Sequence, residues 1–173
     1  MLKDEERNYW LGFSVFSGIG PMKFKKLLAQ FGSAKDAWEA AKTDLTKVLG
    51  EKLTEKFDKF RKKFSIPSYS RILLREGVSF IITTDKGYPK LLSQIKNPPF
   101  VLYVKGQVPD GTWFSKSIAV VGTRRTTQYG REVTKILTQD LVANDFTIVS
   151  GLAMGIDAIS HKTAMENNGK TIA

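Results

Sequence analysis

The sequence predicts an α/β fold in which a small all-helical segment precedes a parallel sheet. Three observations carry this prediction. Residues 1–64 place apolar side chains at helical spacing, short apolar runs of strand composition follow residue 77, and from residue 118 strand and helix patterns alternate as β-α-β-α-β.

Taken in order, Phe24, Leu27, Leu28 and Phe31 follow an i, i+3, i+4, i+7 pattern, with Pro21 suited to a first turn and Gly32 to a stop. Ser33 before Ala34-Lys35-Asp36-Ala37-Trp38 has the form of an N-cap with an acid in the first turn, and residues 53–64 read as a further helix. Ser65-Ile66-Pro67-Ser68 breaks the pattern and sets a domain boundary, giving a helical domain over 1–65 and a sheet domain over 66–173. A short helix over 69–75 leads through Gly77 to a strand at 78–83. The Asn97-Pro98-Pro99 turn precedes a strand at 101–104, and the continuous apolar run 118–121 is of the buried parallel kind. Tyr129, Val133, Ile136, Leu137 and Leu141 mark one face of a helix. A strand at 147–149, a helix at 157–166 and the start of a strand at 171–173 complete the alternation. The chain therefore reads as ending within its parallel sheet, before the strands and helices that would complete it.

Composition narrows the function. Of 173 residues, 27 are Lys or Arg and 17 are Asp or Glu, a formal net charge of +10 that suits a polyanionic partner, nucleic acid first. No apolar run approaches the roughly 18 to 20 residues that span a bilayer, so no membrane role is expected. The chain has no cysteine, which removes disulfides, thiolate nucleophiles and zinc-thiolate sites and fits a cytoplasmic setting. Its one histidine, His161, leaves few imidazole-based schemes; neither a metal nor a cofactor is expected.

Two glycine-bearing strand ends carry the chemistry. The run 118–121 leads into Gly122-Thr123-Arg124-Arg125-Thr126-Thr127, and 147–149 leads into Ser150-Gly151-Leu152-Ala153-Met154-Gly155. Ligands of open α/β sheets bind outside the carboxyl ends of the strands, where free backbone N–H groups and helix starts favour phosphate; Arg124 and Arg125 add charge. Asp157 is read as an N-cap of the helix that follows. A dinucleotide enzyme needs an acid at the end of its second strand to hold a ribose, but Ser150-Gly151 stands there, and no P-loop occurs. Asp157 and His161, four apart on a helix, could pair for acid-base work; an ordinary helix-surface contact is the plainer reading, and His161 could instead touch DNA. Near the N-terminus, Gly18-Ile19-Gly20-Pro21 has the form of a helix-hairpin-helix turn. Its amides, with Lys23, Lys25 and Lys26, offer a second phosphate contact, and a tight turn in a protein-binding domain is the competing reading. The basic run 56–63 reads equally as a solvated face. Tyr9, Trp10, Phe13, Trp38 and Phe57 read as the small core.

Val120-Val121-Gly122-Thr123-Arg124, Tyr129-Gly130, Ile148-Val149-Ser150-Gly151-Leu152-Ala153-Met154-Gly155-Ile156-Asp157 and His161 together resemble the DNA-processing protein A (DprA/Smf) family. Tyr88-Pro89-Lys90-Leu91-Leu92, Asn97-Pro98-Pro99 and Leu102-Tyr103-Val104-Lys105-Gly106 extend the likeness over about 10–173. The resemblance implies a sterile-alpha-motif or helix-hairpin-helix N-terminal domain and an extended Rossmann-like domain that binds single-stranded DNA. It also implies protection of incoming strands in natural transformation and loading of RecA, without catalysis. Gly122, Thr123, Arg124, Ser150, Gly151 and Gly155 would line the phosphate pocket, with Arg125, Ala153 and Lys162 beside them. A homodimer and RecA contacts would depend on later segments of the relatives. Two rival readings remain: a Rossmann-like nucleotide-phosphate-binding or nucleotide-processing enzyme, and a protein-interaction module built on the helices.

Overall fold

Caps and breakers set the helices of the first half in the computed structural model, which describes residues 4–107 and 114–173. α1 (Asp4–Val15) turns through Gly18 into α2 (Pro21–Phe31), which begins on the Gly20-Pro21 step. Ser33 caps α3 (Ala34–Glu39) by accepting the Asp36 amide at 3.0 Å, and α4 (Lys42–Leu49) and α5 (Glu51–Lys63) meet at Gly50. Ser65 is no break: its hydroxyl accepts the Ser68 amide and starts α6 (Ile66–Arg75), with Pro67 in the first turn, where a missing N–H costs nothing. β1 (Val78–Ile82) and, after the short α7 (Lys90–Ser93), β2 (Val101–Lys105) then pair antiparallel, Val78 opposite Lys105 and Ile82 opposite Val101.

By compactness the chain divides into two units, Met1–Val108 and Pro109–Ala173, so the division falls well beyond the expected boundary at 65/66. The reason is packing. Trp10, Phe13, Phe24, Trp38 and Phe57 form the aromatic core as expected, with Tyr9 packed against it, but Ile82, Phe100 and Val101 are buried in the same cluster. Phe100 stacks on Phe24 with ring centroids 4.1 Å apart. The basic run on α5 is only partly a solvated face. Asp58 is buried and binds Arg61 and Lys62 at 2.7 Å each, and Arg61 also donates to the carbonyls of Trp38 and Ala40, tying α5 to the end of α3.

The second unit is mixed α/β. β3 (Ser117–Ala119), β4 (Thr147–Val149) and β5 (Thr171–Ile172) form a parallel sheet in that order, Ile118 opposite Ile148 and Val149 opposite Ile172. α8 (Gln128–Ala143) connects the first pair and α9 (Ile156–Glu166) the second. Sequential parallel strands joined by helices place the ends of β3 and β4 on one edge.

On the apolar face assigned to α8, Tyr129, Ile136 and Leu137 are exposed and Val133 and Leu141 partly buried, while Thr134 and Thr138 are buried. The Gly130-Thr134-Thr138 stripe is small, which suits close packing, and the Thr134 hydroxyl donates to the Gly130 carbonyl at 2.7 Å. Among the described residues no helix is long and apolar enough to cross a membrane.

Candidate nucleic-acid interface

The loops after β3 and β4 are locked backbone to backbone. Gly155, at φ +92°, lies so close to the first loop that a Cβ there would stand 2.2 Å from the Thr123 carbonyl oxygen and 2.7 Å from the Arg124 Cα. The amide of Ile156 donates to the Thr123 carbonyl at 3.2 Å, and Gly122 gives room to the Ile156 side chain, which a Cβ would meet at 2.6 Å. Gly122 and Gly155 are therefore required by steric contact between the loops, a reason distinct from ligand contact.

The docking leaves amides free at one edge. Those of Gly122, Thr123 and Arg124 on the first loop, and of residues 152–155 on the second, have no hydrogen-bond partner among the described residues. Unpaired N–H groups beside the starts of α8 and α9 are donors of the kind that helix N-termini offer to anions. The Arg124 and Arg125 side chains are exposed and make no ion pair among the described residues. Thr123 shapes the turn, its hydroxyl oxygen accepting the Arg125 amide at 3.1 Å, and Thr127 caps α8 through the Gly130 amide at 3.1 Å.

Several expected roles change. Asp157 is not the N-cap of α9; that position belongs to Gly155. Asp157 lies within the first turn, buried, and its carboxylate reaches back to accept the Gly151 amide at 3.1 Å, so it fixes the loop from inside. Ser150 is buried, with its hydroxyl donating to the Val120 carbonyl at 2.7 Å and its amide to Ile172, and so it braces the sheet instead of facing a ligand. His161 is buried as well. Its Nδ1 meets the Thr171 hydroxyl at 2.6 Å, and that hydroxyl lies 3.1 Å from the Ile148 carbonyl. A hydroxyl that donates to the carbonyl accepts from Nδ1–H, and the imidazole joins α9 to β5 without bonding to Asp157. Neither acid-base work nor DNA contact is open to it.

Lys162 is not brought to the loops' edge. It lines a cleft of about 220 Å³ between α8 and α9 with Arg131, Lys135, Ile159, Thr163 and Glu166, and Glu166 lies 3.7 Å from its ammonium. Ala153 belongs to the second loop, where its carbonyl accepts the Ala158 amide at 3.0 Å.

In the first unit, Gly18 makes room for Phe16 and Leu53, Ile19 is buried as the plug of the turn, and Gly20 stands as the N-cap of α2. Lys23 donates to the Gly18 carbonyl at 3.2 Å, which engages its charge in the turn; Lys25 and Lys26 are exposed without ion pairs among the described residues.

The role of Asp157 predicts a stability effect. Asp157→Ala leaves the Gly151 amide without its acceptor and should lower stability by about 1–3 kcal/mol, with Asp157→Asn milder because its side-chain oxygen can still accept. Thermal melts of both variants followed by circular dichroism check this; identical melts for Asp157→Ala and the parent would remove the assigned role.

Residues 79–173 match the family described as DNA recombination-mediator protein A. Protein Smf of Synechocystis sp. is 35% identical over 99% of this chain and 44% of its own length. DNA processing protein DprA of Bacillus subtilis is 40% identical over 61% of this chain and 36% of its own. The crystal structure of DNA processing protein A (DprA) from Streptococcus pneumoniae superposes with a TM-score of 0.72 at 27% identity, covering 100% of this chain and 58% of that one. The chain thus spans less than half the length of these two curated relatives.

Proposed function

This chain belongs to the DNA recombination-mediator protein A family, and from that premise we propose that it binds single-stranded DNA through its backbone phosphates at the docked loops 122–125 and 151–155, without cutting it. The observation that carries this reading is the set of amides on both loops that are free among the described residues, beside Arg124 and Arg125, which make no ion pair among them. Such an edge holds phosphate, and the net charge of +10 suits a polymer of phosphates better than a single nucleotide. The fold around it is read as the start of a Rossmann-like domain, and the turn at Gly18 and Gly20 as a helix-hairpin-helix contact, with Lys25 and Lys26 reaching a second stretch of strand. Protection of the strand and its delivery to RecA belong to the same reading, as does dimer formation in the longer relatives.

The test is a fluorescence-anisotropy titration of a labelled single strand at several salt concentrations, with free nucleotides as competitors. Binding should weaken steeply with salt, log K falling by about 0.7 per phosphate contact for each unit of log salt. Nucleotides should compete poorly. Displacement by micromolar mononucleotide, or release of free base from it, would replace this reading with that of a nucleotide-binding or nucleotide-processing enzyme.

A further inference from the structure

Four large apolar side chains crowd the loops' edge and belong to no core: Val121 is 72% exposed, Tyr129 76%, Leu152 69% and Met154 76%. Val121 precedes Gly122, Leu152 and Met154 stand on the second loop, and Tyr129 lies in the first turn of α8, two residues after the cap that ends the first loop. Leu152 is the most informative. Among the described residues three non-glycines have positive φ, and Asp145 and Asn168 are types that tolerate it. Leu152, at φ 54°, is not, and a left-handed backbone costs a leucine roughly 1–2 kcal/mol. The side chain gains no burial in return, being 69% exposed. A strained, solvated leucine beside a phosphate edge points to a ligand with an apolar part.

We infer that Tyr129, Leu152 and Met154 form a platform for unstacked nucleobases, and that this platform, more than the phosphate loops, makes the site prefer single strands. The inference rests on the proposed DNA-binding reading. Phosphates run past the amides and the two arginines; bases, which carry apolar faces, turn onto the adjoining side chains. Tyrosine stacks on a base, and methionine sulfur packs well against an aromatic ring. A duplex keeps its base faces stacked inside, so it can use the phosphate loops and not the platform. No charged residue among the three competes for hydration, and sequence preference should be weak because every base has a flat face.

The experiment compares a labelled oligothymidylate with an abasic oligomer of the same length and charge, titrated against the 173-residue chain. The parent should bind the base-bearing strand about tenfold more tightly. Tyr129→Ala should remove most of that advantage while leaving abasic binding unchanged, and Tyr129→Phe should restore it. Leu152→Asn, which suits the left-handed backbone and keeps the fold, should lower the same ratio. Equal affinity of the parent for the two strands, or an unchanged ratio in both Tyr129→Ala and Leu152→Asn, overturns the platform and leaves the apolar rim to a protein partner. Phosphate binding by the loops then still stands. Absence of binding to either strand removes the DNA-binding reading, and the platform with it.

Discussion

Gly155→Ala is expected to lose about 3–5 kcal/mol of stability in the second unit, the largest effect of any glycine-to-alanine change among the described residues. Two costs combine. A backbone at φ +92° is strained for any residue with a Cβ, and that Cβ would stand 2.2 Å from a carbonyl oxygen of the facing loop. The obstacle is main chain and cannot rotate aside, so the loops must separate, the bond from Ile156 to Thr123 must break, and the starts of both helices must shift. Gly20→Ala is the matched control: no atom lies within 4 Å of its Cβ, and its φ of −86° is ordinary. Urea unfolding with hydrogen exchange read separately over residues 114–173 should show the first variant opening early and the second unchanged. A Gly155→Ala chain with parental exchange there would contradict the docked-loop geometry.

The second large effect is on binding. Arg124→Ala should weaken single-strand affinity about tenfold or more, since a charge-assisted hydrogen bond to phosphate contributes roughly 1.5–3 kcal/mol, and should lower the salt slope by about 0.7. The double change Arg124→Ala/Arg125→Ala should lower the slope by about 1.4 if both arginines touch phosphate. Both arginines are solvated and without ion pairs among the described residues, so neither change should move the melting temperature much. A variant that binds as the parent does, with the same slope, would take the phosphate edge away from the first loop. Base-platform variants should leave the slope alone, because they change contacts without changing charge, so the two classes separate in one experiment.

The paired loops were legible in the sequence because a continuous apolar run followed by glycine marks a buried parallel strand and a close backbone approach. The aromatic core was legible too, from helical spacing and residue size. What escaped was direction and partner. Gly122, Gly151 and Gly155 look alike in sequence, yet Gly122 and Gly155 hold the loops together sterically while Gly151 supplies an amide to Asp157. Asp157 follows the cap by two positions, too fine an offset for pattern to resolve. On α8 the apolar spacing marks a face but not its direction: helix patterning would turn the larger apolar set inward, whereas the buried residues are the small Thr134 and Thr138. At Ser65-Ile66-Pro67 the residues that punctuate a chain were read as a stop, whereas serine followed by an early proline is also how a helix begins.

The stacking of Phe100 on Phe24 fixes what can be cut out of this protein and still fold. A piece ending near residue 65 would strip Ile82, Phe100 and Val101 from a cluster that also holds Trp10, Phe13 and Phe24, baring aromatic surface to water. Such a piece should be sticky, and apparent DNA binding by it would be hard to tell from nonspecific adhesion. The natural unit of transplantation, whether into a fusion protein or between relatives by recombination, carries the helices together with the β1–β2 hairpin as one inheritable block.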